Sequence, residues 1–550
     1  MDRMEHWKRQ GSSFYSKGEL VEAAAAYARC IALSSPGNRE RALALANRSA
    51  VLVVMGRYEE SASDAERALQ ADYPDVLRFR LHLKRALCFR EMAQMSRAED
   101  ELRRAKDMVN SHIPEEKIGN ITELLEKSYV GPVDIKSFPF EVEYCPSPQL
   151  AKGGNIDCPG FSALVRVETD GFYGRKVVAA QDISPGEVIL VEEPVVSSLK
   201  NDSEWTHCAQ CYKFCLSLMP CETCRKISFC SDECKSASTA GVHSMANCTA
   251  MSRFNSDLQT VMNLSETIFS TFSRIIDLIS SFGIDTLIAF DPEKDSKSLL
   301  GRLLDLCFHR VEQEEQLKRA CAFVIRHCYQ LDDEQVIQKL ADLSYRVILI
   351  DKANSYSIEE PIFDSRSAEF EIKIIAYGTY PSASLMNHSC DPNVVSSFHR
   401  KTMVIRAVRP IAKGEQVFNR YCNSFYNMPK DVRQNRLGMY SFKCACEACT
   451  KDWPPAKMLP DEPKFLLAEK TRPLLDKFQG VLSKSRSANG VGVNYELLRK
   501  DDTFRCCVDL QQLYFEPQRW SRLDKTYRAV ELLLYYHFCA KTRNFVMRPV

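Results

Sequence analysis

The sequence predicts a multidomain α+β protein, with helical regions at both ends and a β-rich domain between them that is interrupted twice. Three observations support this prediction. Apolar residues recur at helical spacings over residues 7–108, short β-branched segments follow Val165, and eight cysteines lie within residues 208–248. A chain of 550 residues is longer than one hydrophobic core usually supports, so we expect several domains.

The charges of the chain nearly cancel. Lys and Arg number 73 against 72 Asp and Glu, which argues against a dedicated nucleic-acid binder. The first ten residues are charged, and no apolar run is long enough to span a bilayer. We therefore expect a soluble protein of the cytoplasm and nucleus that binds no membrane. In that reducing setting the 23 cysteines indicate metal or thiolate chemistry rather than disulfides.

Residues 1–130 are predicted to form an amino-terminal helical domain. The segments GELVEA (18–23), GRYEES (56–61) and AQMSRA (93–98) repeat at intervals of roughly 37 residues. Each is followed at the same distance by a small residue, namely Cys30, Ala68 and Ala105. We therefore expect three stacked helix pairs, although an ordinary helical bundle remains the alternative.

This repeat resembles the tetratricopeptide family, with family residues at Gly11, Phe14, Ala23 and Tyr27. In members that bind chaperone tails, a clamp of basic and amide side chains holds two carboxylates through charge-assisted hydrogen bonds. The resemblance implies such a clamp here at Lys8, Ser12, Asn47, Arg80 and Lys84. Ser12 departs from the asparagine of the family. The alternative is that these are solvated residues on helix faces.

Residues 131–207 are predicted to hold a linker and the first strands of the β-rich domain. Prolines break any long element between Asn110 and Gly160, which leaves room for one short helix at Ile121–Lys127. From Val165 to Val196, β-branched segments are separated by glycines and by a Ser-Pro-Gly turn. A β-rich unit therefore begins in this region.

Residues 208–248 are predicted to bind two zinc ions. A gap of two residues lets two thiolates of one turn reach a single tetrahedral ion. The pairs are Cys208 with Cys211, Cys221 with Cys224, Cys230 with Cys234, and His243 with Cys248, which leaves Cys215 over. Eight ligands make two closed sites, and a segment this short could hardly fold without them.

This segment resembles the MYND zinc finger, in which the ligands alternate between two ions. The resemblance implies one site made of Cys208, Cys211, Cys230 and Cys234 and a second made of Cys221, Cys224, His243 and Cys248. The four residues between the last two ligands are one more than in the commonest family pattern. MYND fingers mostly bind peptides, so the resemblance also implies docking of a peptide partner.

Residues 249–371 are predicted to be a helical insertion. Apolar stripes at helical spacing run through 258–345, and we assign them to core packing rather than to chemistry. The segment RVILIDKANSYSI at 346–358 predicts an apolar run followed by a polar turn that carries Asn354.

The stretch Tyr377–Cys390, YGTYPSASLMNHSC, has the composition of a functional site, because it sets an Asn-His pair beside a cysteine among few charges. The predicted domain at 372–450 ends in a C-x-C-x2-C motif, whose three cysteines need a fourth zinc ligand. Cys390 is the evident donor. A third zinc, held by Cys390, Cys444, Cys446 and Cys449, would have no open position and is expected to be structural.

The order of these motifs resembles the SET and MYND domain protein-lysine methyltransferases, in the branch with an amino-terminal tetratricopeptide region. The motifs are GRKVVA (174–179), the cysteine-rich segment, the helical insertion, NHSCDPN (387–393), GEQVFNRY (414–421) and CACEAC (444–449). The resemblance implies a SET fold that binds S-adenosylmethionine on one face and admits the substrate lysine through a narrow channel from the other.

Carried over by position, the resemblance implies cofactor contacts at Gly174, Arg175, Asn354, Asn387, His388 and Tyr421, and catalytic phenols at Tyr421 and Tyr440. Lys176 departs from the family, because many members have a second glycine there for close approach to the cofactor. The residues after Tyr421 also differ from the commonest sequence in the family. Methyl transfer is an in-line displacement in which positioning supplies much of the rate, so no protein base is obligatory.

Residues 451–550 are predicted to form a carboxyl-terminal helical domain, with helices at 465–482, 495–515 and 523–541. The family resemblance implies that such a region flanks the substrate cleft. Two functions agree with the whole pattern. One is an S-adenosylmethionine-dependent protein-lysine methyltransferase with docking modules, and the other is a catalytically weak adaptor that recruits chaperone or transcriptional co-regulator partners.

Overall fold

The chain forms two compact units, described here from a computed structural model. The described residues are 3–112, 148–171, 174–239, 241, 243–253, 266–364, 369–422, 424–460, 469, 471–485, 500–515, 525–542 and 546–548. The first unit comprises 1–141, 199–263 and 547–550, and the second comprises 142–198 and 264–546. The predicted helix at 121–127 lies outside the described residues. No described helix is long and apolar enough to cross a membrane.

The first unit begins with six helices that pack in sequence, each against the next. They are α1 (Arg3–Ser16), α2 (Leu20–Leu33), α3 (Arg39–Val54), α4 (Tyr58–Gln70), α5 (Arg78–Glu91) and α6 (Met95–His112). Cys30, Ala68 and Ala105, the small residues of the repeat, are fully buried, so their size lets neighbouring helices approach closely. The helical prediction is confirmed, and the tetratricopeptide assignment stays a prediction.

The repeated motif marks the turn inside each helix pair. Gly18, Gly56 and Ala93 stand at corresponding places and have φ of 76°, 69° and 57°. A residue in this left-handed conformation ends a helix and reverses the chain, and glycine adopts it without strain. The repeat in the sequence therefore records a backbone requirement. The third repeat adopts the same conformation with Ala93 in place of glycine.

The cysteine-rich segment belongs to the same unit. It contains a short antiparallel pair, β5 (Met219–Pro220) and β6 (Ser228–Phe229), followed by α7 (Asp232–Thr239) and α8 (Met245–Arg253). Strand β5 packs against α2. The fully buried guanidinium of Arg48 on α3 donates 2.6 and 2.9 Å hydrogen bonds to the buried carboxylate of Asp64, and its Nη1 donates a 2.9 Å bond to the Leu218 carbonyl. One buried cation thus joins two helices to the cysteine-rich segment.

The second unit is built on short strands whose partners lie far apart in sequence. The strands are β1 (Val165–Asp170), β2 (Gly174–Ala179), β3 (Val188–Glu192), β4 (Val196–Leu199), β7 (Ser355–Asp364), β8 (Glu369–Thr379), β9 (Asn387–His388), β10 (Val394–His399), β11 (Thr402–Ala407) and β12 (Phe418–Asn419). Of β13 (Val546–Arg548), only Val546 is assigned to this unit. β1 pairs with β2, β11 lies between β10 and β3, and β8 lies between β7 and β4. Strands from before the cysteine-rich segment therefore pair with strands from after the helices.

Among the described residues, five helices lie between the cysteine-rich segment and β7, in agreement with the predicted helical insertion. They are α9 (Glu266–Phe282), α10 (Ile284–Ala289), α11 (Leu299–Leu304), α12 (Glu314–Tyr329) and α13 (Glu334–Asn354). The apolar run at 346–350 continues α13, and β7 begins at the next residue after Asn354, where the sequence suggested a polar turn. The reason is local, because the Asn354 amide donates a 2.8 Å bond to the Ile350 carbonyl one turn back and so continues the helix to its last residue.

The remaining helices follow the last strands of the β-rich domain. They are α14 (Lys430–Leu437), α15 (Glu447–Thr450), α16 (Arg472–Ser485), α17 (Asp501–Phe515) and α18 (Lys525–Thr542). The last three share one core that includes Leu475, Phe478, Leu510, Tyr527 and Leu534. Parts of the first two predicted carboxyl-terminal helices, at 465–468 and 495–499, lie outside the described residues.

We predict that Arg48→Met destabilises the first unit, because it removes the buried cation that makes two hydrogen bonds to Asp64 and leaves that carboxylate with Arg67 alone, 3.4 Å away. Breaking a buried ion pair in this way costs about 3–5 kcal/mol. The measurement is amide hydrogen exchange of α3 and α4 in the whole chain, which reports the free energy of local opening. Arg39→Met on the exposed start of α3 is the matched control. Equal exchange in the two variants would contradict the prediction.

Candidate active site

The stretch Tyr377–Cys390, called the NHSC segment after its last four residues, is held in place by hydrogen bonds from distant parts of the second unit. The Glu192 carboxylate accepts bonds of 2.9 and 3.0 Å from the backbone N–H groups of Ser382 and Ala383, where the segment turns. Five residues further on, β9 pairs in parallel with β12, and the Asn387 amide donates a 3.0 Å bond to the Arg175 carbonyl. The loop therefore lies between the first and last strands of the β-rich domain.

A cavity of roughly 660 Å³ opens beside this loop. Five of the residues predicted to contact the cofactor or to act in catalysis line it, and they are Asn354, Asn387, His388, Tyr421 and Tyr440. Gly174 and Arg175 are not among the lining residues. Arg175 lies behind the cavity wall, and its side chain bonds to Asp305 and donates a 2.7 Å bond to the Asp305 carbonyl. Their predicted contact with a cofactor stays a prediction.

Two phenols and the ring of Phe442 form one wall of the cavity. The ring centroids of Tyr421 and Tyr440 are 5.2 Å apart, and those of Tyr421 and Phe442 are 6.2 Å apart. The Tyr421 hydroxyl donates a 2.8 Å bond to the Met386 carbonyl. Burial raises the pKa of Tyr421, so the phenol stays protonated at neutral pH. Its proton is held by the backbone, which leaves its oxygen lone pairs for a group in the cavity.

His388 braces the loop as well as lining the cavity. The backbone N–H of Tyr421 donates a 3.0 Å bond to Nδ1 of His388, so the ring proton must be on Nε2. Nε2 lies 3.4 Å from the Sγ of Cys390, to which it donates. Burial lowers the pKa of His388 to about 4, in agreement with a neutral ring. One imidazole thus connects Tyr421 to a cysteine of the third cluster.

Asn354 presents its amide nitrogen to the protein. Nδ2 donates 2.8 Å bonds to the carbonyls of Cys307 and Ile350. The segment from Asp305 to His309 is thereby held against the cavity, and Arg346 adds a 2.6 Å bond to the Leu304 carbonyl just before it. The helical insertion, to which the sequence assigned no chemistry, thus supplies Cys307 and His309 to the cavity wall.

Lys176 does not obstruct the cavity. It faces Glu168 across the β1–β2 hairpin, and its ammonium lies 2.8 Å from the carboxylate of Asp170. Its side chain therefore follows the hairpin, and its φ is not positive, so no glycine is required at this position. The departure from Gly-Arg-Gly noted in the sequence is accommodated.

Tyr356 is a cavity residue that the sequence did not reveal. Its hydroxyl donates a 3.1 Å bond to the Ala383 carbonyl and accepts a 3.4 Å bond from the Asn419 amide. Burial raises its pKa well above the usual range, so it is a third neutral phenol. The sequence gives no sign of this role, because an aromatic residue among polar residues at the start of a strand is also typical of an ordinary packed tyrosine.

The cavity fits a polar small molecule the size of S-adenosylmethionine. Its volume lies within the range of about 300–1,000 Å³ that is typical of such sites. The buried hydroxyls of Ser355 and Ser384, both in the cavity wall, have no hydrogen-bond partner among the described residues. Buried polar atoms are rarely left unpaired, so these two are suited to a polar ligand.

The Sγ atoms of the third cysteine cluster have the separations expected around zinc. All four ligand atoms of Cys390, Cys444, Cys446 and Cys449 lie within 4.8 Å of one another, and the sulfurs of Cys390 and Cys449 are 3.5 Å apart. Four thiolates at the Zn–S distance would be about 3.8 Å apart. Buried Arg433 on α14 points Nη2 at the Cys449 sulfur at 3.7 Å, the outer contact a thiolate needs.

The two clusters in the first unit divide their ligands as the MYND resemblance implied. Within each cluster all ligand atoms lie within 4.8 Å, and the sets are Cys208, Cys211, Cys230 and Cys234, and Cys221, Cys224, His243 and Cys248. The Sγ of Cys221 is 3.7 Å from that of Cys248, and the Sγ of Cys224 is 3.7 Å from Nε2 of His243. The longer spacing before the last ligand is therefore accommodated, and Cys215 stays outside both sets.

We predict that the purified protein binds three zinc ions per chain and that Cys390→Ser binds two. Replacing a thiolate by a hydroxyl removes one of the four ligands of this cluster and so weakens its hold on the ion. Elemental analysis of the protein measures the ratio. Cys215→Ser is the matched control and is expected to retain three ions. A Cys390→Ser protein with three tightly held ions would contradict the assignment.

Comparison with known proteins agrees with this geometry. Residues 174–422 match the family model of the SET domain. Protein-lysine N-methyltransferase SMYD4 of Mus musculus is 25% identical over 627 residues, which cover 96% of this chain and 76% of the relative. N-lysine methyltransferase SMYD2 of Homo sapiens is 25% identical over 390 residues, which cover 68% of this chain and 80% of the relative.

A solved structure titled "Structure of Rubisco LSMT bound to AdoMet" is 13% identical and covers 70% of this chain and 86% of its own, with a TM-score of 0.24. At that score the likeness supports no argument about the fold. The SET match, the two named relatives and the three cysteine clusters are independent of it. On those grounds the chain contains a SET domain and is similar to protein-lysine methyltransferases that combine SET and MYND domains.

Proposed function

We propose that this protein transfers a methyl group from S-adenosylmethionine to the side-chain amine of lysine in protein substrates. The observation that carries the proposal is the wall of neutral phenols at Tyr356, Tyr421 and Tyr440, set beside the Asn-His pair in a cavity large enough for a cofactor. The bound cofactor would supply an electrophilic methyl group on a sulfonium. The protein must supply a dry channel and the correct orientation of the amine.

The phenols orient the amine without removing its proton. Tyr421 and Tyr356 both donate their protons to backbone carbonyls, so each phenol oxygen can accept a hydrogen bond from an amine in the cavity. Burial raises the pKa of both phenols, so neither ionises to act as a base near neutral pH. Desolvation in the cavity lowers the pKa of an entering lysine and so favours the neutral nucleophile.

The NHSC segment contributes to the proposed reaction by fixing the position of Tyr421. Tyr421 is held at both ends, because its hydroxyl bonds to the Met386 carbonyl and its N–H bonds to His388. Fixed positions of this kind are valuable in a displacement reaction, where a misplacement of about 1 Å can cost roughly a hundredfold in rate. The third zinc site would act here as a structural anchor for Cys390 and not as a Lewis acid, because four thiolates complete its coordination.

We predict that Tyr421→Phe lowers kcat by about 10- to 100-fold and leaves the dissociation constant of S-adenosylmethionine within about threefold of wild type. The variant keeps the ring and loses only the hydroxyl that orients the amine. Methyl transfer to a lysine-rich peptide array measures the first quantity, and calorimetry of the zinc-loaded protein measures the second. Tyr377→Phe, at an exposed tyrosine on β8, is the matched control.

Unchanged turnover of Tyr421→Phe would show that another phenol orients the amine, with Tyr356 the next candidate. Failure of the wild-type protein to bind S-adenosylmethionine would instead favour the second candidate function, a catalytically weak adaptor. Lys176, the departure from the family glycine, lies along the hairpin and is not among the residues that line the cavity, which supports the enzyme over the adaptor.

We also propose that the first unit docks acidic carboxyl-terminal tails of chaperones, and that the MYND finger docks a peptide partner. Among the five clamp positions, Arg80 is exposed and the amide of Asn47 is half-buried. Lys8 lies 2.7 and 3.0 Å from the carboxylates of Glu5 and Glu40, so a tail must displace these partners. The Lys84 ammonium donates a 2.8 Å bond to the Ala46 carbonyl, and burial lowers the pKa of Lys84 to about 8.

This pattern predicts that Arg80 contributes more to tail binding than Lys84 does, because Lys84 already has an internal partner. We expect Arg80→Ala to weaken binding of an acidic peptide with a free carboxyl terminus about tenfold, since a charge-assisted bond contributes roughly 1.5 kcal/mol. Fluorescence anisotropy with free and amidated peptides measures the effect. Lys17→Ala on the exposed end of the first pair is the control. Unaltered binding by Lys8→Ala and Arg80→Ala together would remove the docking proposal.

A further inference from the structure

We propose that Glu531 on helix α18 is a positioning residue for the methyl-transfer site and that it acts through Tyr426. The inference rests on the proposed function, because it takes Tyr421 as the active-site phenol. The Tyr426 hydroxyl donates a 2.5 Å hydrogen bond to Oε2 of Glu531, across 105 residues of chain. Tyr426 follows Tyr421 by five residues, in the segment that differs from the commonest family text.

The environment of Glu531 shows why this bond matters. Glu531 is 8% exposed and lies among the apolar residues by which α18 packs, including Val530 and Leu534. A carboxylate placed there costs free energy unless it is partnered, and an apolar side chain of the same size would pack the helix at no such cost. Its nearest hydrogen-bond donor is the Tyr426 hydroxyl. Packing of the helix therefore does not explain the glutamate, whereas positioning of Tyr426 does.

The Tyr426 ring is held on its face as well as at its hydroxyl. The guanidinium of Arg528 lies 4.0 Å from the ring centroid, and its Nη1 is 3.8 Å from the same Glu531 oxygen. Arg528 precedes Glu531 by one helical turn, so α18 presents a cation and an anion together to one tyrosine. Burial, and secondarily the nearby Glu531, raises the pKa of Tyr426, so its hydroxyl remains the donor.

The residue next to Tyr426 connects it directly to the NHSC segment. The adjacent residue, Phe425, is fully buried, and its backbone N–H donates a 3.1 Å bond to the carbonyl of Cys390. Phe425 also packs its ring 5.0 Å from Trp453, which follows the third cysteine cluster. The chain is thus fixed on both sides of the cavity wall, at Tyr421 by His388 and at Tyr426 by Glu531. Release of the second point would allow the phenol of Tyr421 to move relative to the Met386 carbonyl.

A second buried pair adjoins this contact and balances its charge. Arg409 Nη1 lies 2.8 Å from the carboxylate of Asp391, the residue after Cys390, and both side chains are buried. Burial, and then repulsion from Asp391, raises the pKa of Glu531. Two carboxylates with two arginines form a neutral group between the carboxyl-terminal helices and the loop, so replacing one acid also changes the field at the other.

The test compares three substitutions in the full-length, zinc-loaded chain. Glu531→Met removes the acceptor at similar volume, Glu531→Gln keeps a carbonyl that can accept from Tyr426, and Tyr426→Phe removes the donor. We expect Glu531→Met and Tyr426→Phe each to lower kcat about 10- to 100-fold with KM for the cofactor within twofold, and Glu531→Gln to restore most of the rate. The double variant should lose no more than the worse single variant, because the two residues act on one path.

A second readout does not depend on activity. Amide hydrogen exchange of the peptides covering 418–426 should rise in Glu531→Met and Tyr426→Phe and stay near wild type in Glu531→Gln, with zinc content unchanged. Asp502→Asn, at the exposed start of α17, is the control and should change neither rate nor exchange.

The outcomes separate this inference from the proposed function. A wild-type kcat in Glu531→Met, or exchange that rises uniformly over the second unit in all variants, would overturn the positioning role and make Glu531 a general stability residue. If the wild-type protein transfers no methyl group, the proposed function fails, and the local exchange at 418–426 still decides whether Glu531 fixes this segment.

Discussion

The four-cysteine closure of the third cluster is the constraint on which the active-site geometry depends. Cys390 is separated from its partners by more than fifty residues, and a zinc ion tolerates only one arrangement of four thiolates. Because only Ser389 separates Cys390 from the Asn-His pair, fixing its sulfur also fixes the chain that lines the cavity. Arg433 and Gln434 on α14 add outer contacts to this cluster, the latter through 2.7 and 3.0 Å bonds with the backbone of Cys444.

Neutral, hydrogen-bonded side chains connect this cysteine cluster to the cavity wall. The imidazole of His388 donates to the Cys390 sulfur and accepts from Tyr421, so its two nitrogens join the metal cluster to the cavity wall. The phenols of Tyr356 and Tyr421 donate to backbone carbonyls, which places their lone pairs on the side of the cavity. Burial keeps Tyr356, Tyr421 and His388 neutral near pH 7, and this is the property on which the proposed positioning role rests.

Charged groups elsewhere in the second unit have the same function of connecting distant segments. Glu192 accepts hydrogen bonds from the backbone of the NHSC segment. Asp391, the residue after that segment, pairs with Arg409, and Glu531 accepts a hydrogen bond from Tyr426. Each is buried or nearly so, where an unpaired charge would be costly, and each has its partner in a different element. The first unit uses the same device, since Arg48 joins Asp64 on α4 to the Leu218 carbonyl of the cysteine-rich segment.

The sequence determined the helix pairs and the paired positions of the zinc ligands, because both depend on local chemistry, whereas the division of the eight ligands at 208–248 between two ions followed from the MYND resemblance. Cysteine spacing follows from the reach of two thiolates to one ion, and the repeat of Gly18, Gly56 and Ala93 follows from the backbone conformation at a helix end. Tertiary structure alone decided which side chains meet in the cavity. The register of β7, the turning of the Asn354 amide toward the Cys307 carbonyl and the course of Lys176 along its hairpin depend on partners far away in the chain. No local pattern encodes them, and for the same reason the link from Glu531 to Tyr426 could be found only once α18 was placed against the β-rich domain.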